Sequence, residues 1–193
     1  MDTLIFATNN QHKIDEIREV LGNLFDIITL KEAGIEIDIP EPHDTLEANA
    51  SEKSTTIYKL THKNCFSEDT GLEVDVLNGE PGVKSARYAG ENKSFKANIE
   101  KLLRNMGLTE NRHARFRTII SLIVDKKEIQ FEGICEGDII LEARGENGFG
   151  YDPVFVPTGS KLTFAEMNIK EKSAYSHRKK AMDKLILFLQ SVK

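Results

Sequence analysis

Five short segments, far apart in the chain, hold polar residues whose types and spacing suit chemistry. They are Thr8-Asn9-Asn10-Gln11-His12-Lys13, Lys53, Ser67-Glu68-Asp69-Thr70-Gly71, Phe149-Gly150-Tyr151-Asp152, and Lys172 through Ser176-His177-Arg178. Together they offer cations for phosphates, carboxylates for a metal and a water, and an aromatic ring with an arginine for a base. That inventory fits a nucleotide, and the carboxylates point to one that is cut rather than merely held.

Each segment also has a plainer reading. Leu46, Ala50, Ile57 and Leu60 recur at helical spacing, and Lys53 falls on the same stripe. An ammonium facing a core is costly unless it is paired or its head reaches water. Lys53 is therefore either a lysine snorkelling at the edge of the stripe or an ammonium aimed at a phosphate. Lys13 lies in the first turn of an expected helix, where the dipole favours acids; it is either solvated or it meets an anion bound at that turn. Glu68 and Asp69 are neighbouring carboxylates that repel each other unless a cation is close. They form a solvated acidic turn or, with Glu41 from its proline-bounded loop as a third ligand, a hard-oxygen site for Mg2+ or Mn2+. Phe149 and Tyr151 flank Gly150 beside Asp152, which suits a hydrophobic loop anchor or a ring that stacks on a base. By composition, Lys172, Ser176, His177 and Arg178 are a solvated basic face. His12, His43, His62, His113 and His177 lack zinc-type spacing. There is no Gly-x-x-x-x-Gly-Lys-Ser/Thr loop, and Gly145, Gly148 and Gly150 miss the dinucleotide-binding spacing.

The elements that must position these residues follow from periodicity. Residues 3–7 read as a buried strand, and Ile14, Ile17, Val20 and Leu21 as a helix stopped by Gly22. The polar segment between them is a strand-to-helix turn, where free N–H groups and the dipole favour an anion. Residues 35–39 alternate as a strand that Pro40-Glu41-Pro42 breaks, and Asp44 with Glu47 resembles a capping box for the second helix. Leu72, Val74 and Val76 predict a strand following 67–71, and 78–82 a turn. Phe95, Ile99, Leu102, Leu103 and Met106 mark a helix that ends at Gly107. Residues 116–124 are a strand, and Asp125-Lys126-Lys127 a hairpin tip leading into strands at 128–135 and 138–141. Residues 142–162 form a long loop around a short strand at 153–156, of a length that is often functional. Thr163 with Glu166 repeats the capping pattern, and Met182, Leu185, Ile186 and Leu189 stripe a C-terminal helix. Interleaved helices with late hairpins predict a mixed α/β sheet rather than a purely parallel one.

With 193 residues, the chain suits one domain, or one domain with two lobes. A net charge of −5 argues against a general nucleic-acid binder, though not against a small anionic ligand. Two cysteines cannot make a disulfide framework, so Cys65 and Cys135 are expected to be buried thiols in a reducing compartment. No signal pattern opens the chain and no apolar run approaches the ~20 residues that span a bilayer, so a cytoplasmic protein is expected.

Thr8-Asn9-Asn10-x-x-Lys13, Glu47-x-Asn49-Ala50-x-x-Lys53, Asp69-Thr70-Gly71-Leu72-x-Val74, Pro81-Gly82 with Ser85-Ala86-Arg87-Tyr88, Gly148-Phe149-Gly150-Tyr151-Asp152-Pro153, and Lys172-Ser173 with Ser176-His177-Arg178 stand in a telling order. The set resembles the inosine triphosphate pyrophosphatase family, which clears non-canonical purine nucleoside triphosphates. Each motif alone is weak, but the ordered set is specific and covers essentially the whole chain. Asn9 stands where many members have Gly, and Ser54 where Ala is frequent; neither departure removes a charged group.

The resemblance implies an elongated α/β fold, a single domain over 1–193 whose mixed central β-sheet is flanked by helices and whose two lobes frame a nucleotide cleft, usually in a homodimer. It implies hydrolysis of XTP, ITP or dITP between the α- and β-phosphates with Mg2+, Mn2+ being an alternative, and no nucleic-acid or membrane partner. In that reading Glu41, Glu68 and Asp69 hold the metal and Asp69 is the base for the attacking water. Lys13, Lys53 and the turn from Thr8 through Asn9, Asn10, Gln11 and His12 grip phosphates, with Thr70 and Lys172 nearby. Phe149, in the Gly150-Tyr151-Asp152 loop, stacks on the purine while His177 and Arg178 meet its edge. Two rivals stay open: a pyrophosphatase preferring pyrimidine or modified bases, and a non-catalytic nucleotide-binding module.

Overall fold

The computed structural model describes residues 3–21 and 26–191. In chain order its elements are β1 (Thr3–Phe6), α1 (Gln11–Leu21), β2 (Asp26–Thr29), α2 (Leu46–Thr61), β3 (Cys65–Val74), β4 (Pro81–Gly82), α3 (Phe95–Met106), β5 (His113–Val124), β6 (Lys127–Ile139), β7 (Phe155–Pro157), α4 (Ile169–Ser173) and α5 (His177–Ser191). The strands form a mixed sheet in the order β2-β1-β3-β5-β6-β7, with β4 against β3. β1 is parallel to β2 and β3, whereas β4 and β7 run antiparallel to their neighbours. The expected mixed α/β sheet is what the chain forms.

The chain divides into two compact units. The first comprises residues 1–69, 118–133 and 178–193. Here strand alternation sorts the core into two layers. Leu4, Phe6, Phe66, Ile120 and Leu122 pack with Ile14 and Ile17 of α1 and with Met182, Leu185 and Leu189 of α5. Ile5, Ala7, Cys65 and Ile123 pack with Ile57 of α2 and with Leu30 and Ile35. Phe6 and Phe66 stack with ring centroids 4.5 Å apart. Each such buried side chain contributes roughly 1.5–3 kcal/mol, which fixes β3 between the helices that face it.

The second unit comprises residues 70–117 and 134–177. Its core gathers Leu72, Val74, Leu102, Met106, Phe116, Tyr151, Val154, Phe155 and Phe164. The expected helix at 95–106 is present, with Ser94 accepting from Ala97 N at its start and Gly107 at φ +56° at its end.

Several expectations need correction. Residues 35–39 carry no strand; Ile35 is buried, and Ile37 and Ile39 pack beside the α2-side core, so the alternation reports one-sided burial without a ladder. The cap of α2 is Thr45, whose hydroxyl accepts from Ala48 N, not Asp44. Leu60 is 57% exposed, so the stripe of α2 ends at Ile57. Glu68 and Asp69 lie inside one continuous strand rather than at a turn, and Val76 falls in a 3-10 turn after it. The strands expected at 128–135 and 138–141 are one strand, β6, and the short strand expected at 153–156 is β7, shifted toward the C-terminus. The Thr163–Glu166 capping box is real but opens a 3-10 turn, while a second box from Asn168 to Glu171 opens α4. Asp125 and Lys126 both have positive φ, as a two-residue hairpin requires. Gly22, expected to stop the first helix, lies outside the described residues.

Arg18 ties α1 to the turn after β2: its Nη2 lies 2.8 Å from Glu32 Oε1, and Glu32 Oε2 accepts from Thr29 N at 2.7 Å. These bonds, the Thr29 backbone first and Arg18 next, lower the Glu32 pKa from 4.5 to about 2. A carboxylate acidified by folding stabilises above its unfolded pKa and loses that contribution as pH falls through its folded one. Glu32→Gln should therefore lower the urea midpoint at neutral pH, with the gap to the parent closing between about pH 4.5 and about 2. A gap unchanged across that window would contradict the linkage.

Candidate active site

Successive side chains of a strand face opposite sides of the sheet, and in β3 this separates Glu68 from Asp69. Glu68 shares the face of Phe66 and meets α1 and α5. Arg178 Nε and Nη2 donate to its two carboxylate oxygens at 2.6 and 2.7 Å, and Lys13 Nζ lies 3.2 Å from Oε1. Arg178 Nη1 also donates to Glu16 of α1. The guanidinium is thus spread over two carboxylates although its residue is only 2% exposed. Burial opposes its charge, but the fields of Glu68 and Glu16 outweigh that and raise its pKa above the ordinary value.

Asp69 turns toward α2. Lys53 Nζ, on a residue 7% exposed, donates to Asp69 Oδ1 at 2.9 Å and to Glu41 Oε1 at 2.6 Å. Lys53 therefore does not snorkel to water: its ammonium is buried and paired with two carboxylates. Burial works against its charge, but Asp69 and Glu41 overcome it and raise the pKa. Burial is also the main influence on Asp69; with repulsion from Glu41 it outweighs Lys53 and Lys13, so this carboxyl is more basic than an ordinary aspartate.

The turn between β1 and α1 sits beside this cluster. Asn10 Oδ1 accepts from Lys13 N at 3.3 Å, capping the helix, and Thr8 Oγ1 accepts from Asn10 N at 3.2 Å. Asn9 Nδ2 donates to Ile37 O at 3.1 Å, joining the turn to the segment that leads to Glu41. Gln11 reaches Asp15 of its own helix, and His12 is exposed. Thr70, half-buried, follows Asp69 in β3 as the first residue of the second unit.

In the second unit, Asp152 Oδ2 accepts from Phe149 N at 2.9 Å and from Lys172 Nζ at 2.7 Å. The ammonium also lies 5.3 Å from the centre of the Phe149 ring, within cation–π reach. Gly148 makes this possible: its φ is +73°, and a Cβ there would come within 2.1 Å of Asp152 Oδ2. Gly150, at φ +63°, completes the bend. Tyr151 is a core residue whose hydroxyl donates to Ser85 O at 2.9 Å. His177 is buried and stacks on Phe116 at 4.8 Å. At the start of α5, His177 thus packs against an aromatic core and Arg178 is bonded to carboxylates.

Of the three carboxylates expected to hold a metal, the structure brings two together. Among the described residues no group of three or more His, Cys, Asp and Glu converges on a metal position. Glu41 and Asp69 do converge, on Lys53, but Glu68 belongs to the opposite face. The geometry also brings in two residues that the motif reading did not assign. Glu16 stands three residues after Lys13 on the same helix face, a spacing the sequence displays. Asn49 lies on the buried stripe of α2 with Ala50 and Lys53 and is itself buried.

Removing one partner of a buried ion pair leaves the other charge uncompensated, at a cost of about 3–5 kcal/mol. Glu68→Leu should lower unfolding stability by about that amount in urea titrations. A loss under ~1 kcal/mol, the value of a surface pair, would show that Arg178 is not anchored as described.

A sequence model of the Ham1 family matches residues 4–188. A dITP/XTP pyrophosphatase of Porphyromonas gingivalis is 49% identical, covering 100% of both chains. One of Flavobacterium psychrophilum is 45% identical over 97% of this chain and 99% of its own. Among solved structures, the Ham1 protein of Staphylococcus aureus superposes with a TM-score of 0.90 at 41% identity, covering 100% of each chain. A HAM1 protein of Coxiella burnetii reaches the same TM-score of 0.90 at 34% identity, covering 99% of this chain and 100% of its own. With a match over nearly its full length and relatives this similar end to end, the chain belongs to the Ham1 family.

Proposed function

We infer that this protein hydrolyses non-canonical purine nucleoside triphosphates such as XTP, ITP and dITP to the monophosphate and pyrophosphate. The observation that carries the chemistry is the pair of lysines around a buried aspartate: Lys53 at 2.9 Å from Asp69, and Lys13 close enough to act on its charge. Relatives of near-identical length carry the name dITP/XTP pyrophosphatase, which supports the substrate class.

The donor set fits a divalent ion. Lys13, Lys53 and Arg178 are each paired with one or more of the carboxylates Glu16, Glu41, Glu68 and Asp69, so their charge is already offset when a polyanion arrives. Mg2+ is commonly held by one or two carboxylates together with substrate phosphates. Glu41 and Asp69, whose oxygens already converge on one cation, are the residues to hold it. When bound, the ion supplies positive charge toward the triphosphate and its leaving group.

The protein groups then have distinct tasks. Asp69 takes the proton of the water that attacks the α-phosphorus. A bond forms from that oxygen to phosphorus, the bond from phosphorus to the α,β-bridging oxygen breaks, and pyrophosphate leaves. Lys13 and Lys53, beside the capped turn at 8–10, bind the phosphate oxygens. Glu68 keeps Arg178 and Lys13 in place rather than ligating metal. In the second unit, Phe149 offers a ring for stacking. The Lys172–Asp152 pair offers a donor beside an acceptor, which matches the 6-oxo group and N1–H of hypoxanthine and xanthine and mismatches adenine.

A nucleoside triphosphate panel with pyrophosphate detection should show release from XTP, ITP and dITP that requires added Mg2+ and is weak with ATP. Equal turnover of ATP would sink the base assignment. Asp69→Asn should retain nucleotide binding while kcat falls at least about 100-fold; near-parental turnover would refute its role as the base.

A further inference from the structure

Glu41 reaches Lys53 and Asp69 from a segment that belongs to no strand or helix, so something other than a ladder must place it. The segment is stiffened by Pro40 and Pro42, but proline limits φ without anchoring the chain to its surroundings. The anchor is on α2. Asn49, only 1% exposed, uses both ends of its amide on one residue of this segment: its Oδ1 accepts from His43 N at 2.9 Å and its Nδ2 donates to His43 O at 3.1 Å. One turn further along α2 stands Lys53. Thr45 continues the attachment, since its hydroxyl caps α2 through Ala48 N and its carbonyl accepts from Asn49 N.

We propose that Asn49 is a positioning residue for metal binding: by clamping the backbone of His43, it holds Glu41 where it meets Lys53 opposite Asp69, the pair that would hold a divalent cation. The inference rests on the reading of Glu41 and Asp69 as the metal-holding pair. The geometry is that of a template. A single rigid helix carries Lys53, which both carboxylates contact, and Asn49, which fixes the backbone two residues beyond Glu41. The two amide bonds are parallel and opposed in polarity, so only a side chain with a donor and an acceptor at one tip satisfies both. His43 is exposed, so water can replace the lost partners when Asn49 is removed. The main consequence of losing the clamp is then a wandering Glu41 rather than an unfolded protein. Outer groups that orient metal ligands typically change affinity by about 10–100-fold when removed.

The test is Mn2+ binding to the substrate-free protein by titration calorimetry, for the parent, Asn49→Ala and Glu41→Gln. Asn49→Ala should raise the half-saturating Mn2+ concentration at least about tenfold. In assays its kcat at saturating Mg2+ should stay within about threefold of the parent, the deficit appearing as a higher Mg2+ requirement. If Asn49→Ala does not fold, Asn49→Leu, which keeps the side-chain volume, takes its place. Unchanged Mn2+ affinity in the Asn49 variant together with weakened affinity in Glu41→Gln overturns this inference alone. Unchanged affinity in Glu41→Gln overturns the metal-holding pair and with it the inference. A kcat loss in the Asn49 variant that added Mg2+ does not restore, at unaltered Mn2+ affinity, also overturns it.

Discussion

A strand turns its side chains alternately to the two faces of its sheet, and in β3 that alternation falls on two buried carboxylates. Phe66 and Glu68 face α1 and α5; Cys65, Ser67 and Asp69 face α2. The rest of the first unit's polar structure follows from this split. A carboxylate buried against helices must find a cation or lose its charge, and each face supplies its own. Arg178 and Lys13 serve Glu68, and Lys53 serves Asp69. The hydrophobic layers beneath, with Phe6 stacked on Phe66, hold the strand in register so that neither carboxylate can trade faces.

Buried ion pairs of this kind add little net stability, because desolvation offsets much of the attraction. Their value here is position. On the Glu68 face, Arg178 is held by fork geometry on one acid and by a further bond to Glu16. On the Asp69 face, two carboxylates, Asp69 and Glu41, share one ammonium. Lys13 stands between the two sets, bonded to Glu68 yet close enough to Asp69 to lower its pKa against the effect of burial. The same economy appears in the second unit. There Asp152 holds Lys172 and the Phe149 backbone together, and only a glycine at 148 leaves room for its carboxylate.

Much of this was legible before any coordinates. Lys53 on an apolar stripe announced a buried cation, and α2 buries it. The run from residue 8 to Lys13 announced a capped helix start, and Asn10 caps it. The helix at 95–106 and the two-residue hairpin at Asp125-Lys126 came from periodicity and turn chemistry alone. Adjacency in sequence does not fix which way a side chain faces. Glu68 and Asp69 are neighbours in sequence but occupy opposite faces of β3, and the strand that carries them looked like a turn because it is polar. Arg178 and His177, adjacent at the start of α5, likewise diverge: one enters a charge cluster and the other an aromatic core.

The sequence by itself determined the family, the mixed sheet, and which residue types are present for phosphate chemistry. These depend on local patterns and on an ordered set of short motifs. Only the tertiary structure decided which cation serves which acid, that Glu41 and Asp69 converge on Lys53 while Glu68 meets Arg178, and that Asn49 bonds His43 and Glu16 bonds Arg178. The reason is physical. A side chain's chemical type is carried by its residue, but its partner is set by which face of a strand or helix it occupies and by what long-range packing brings opposite that face.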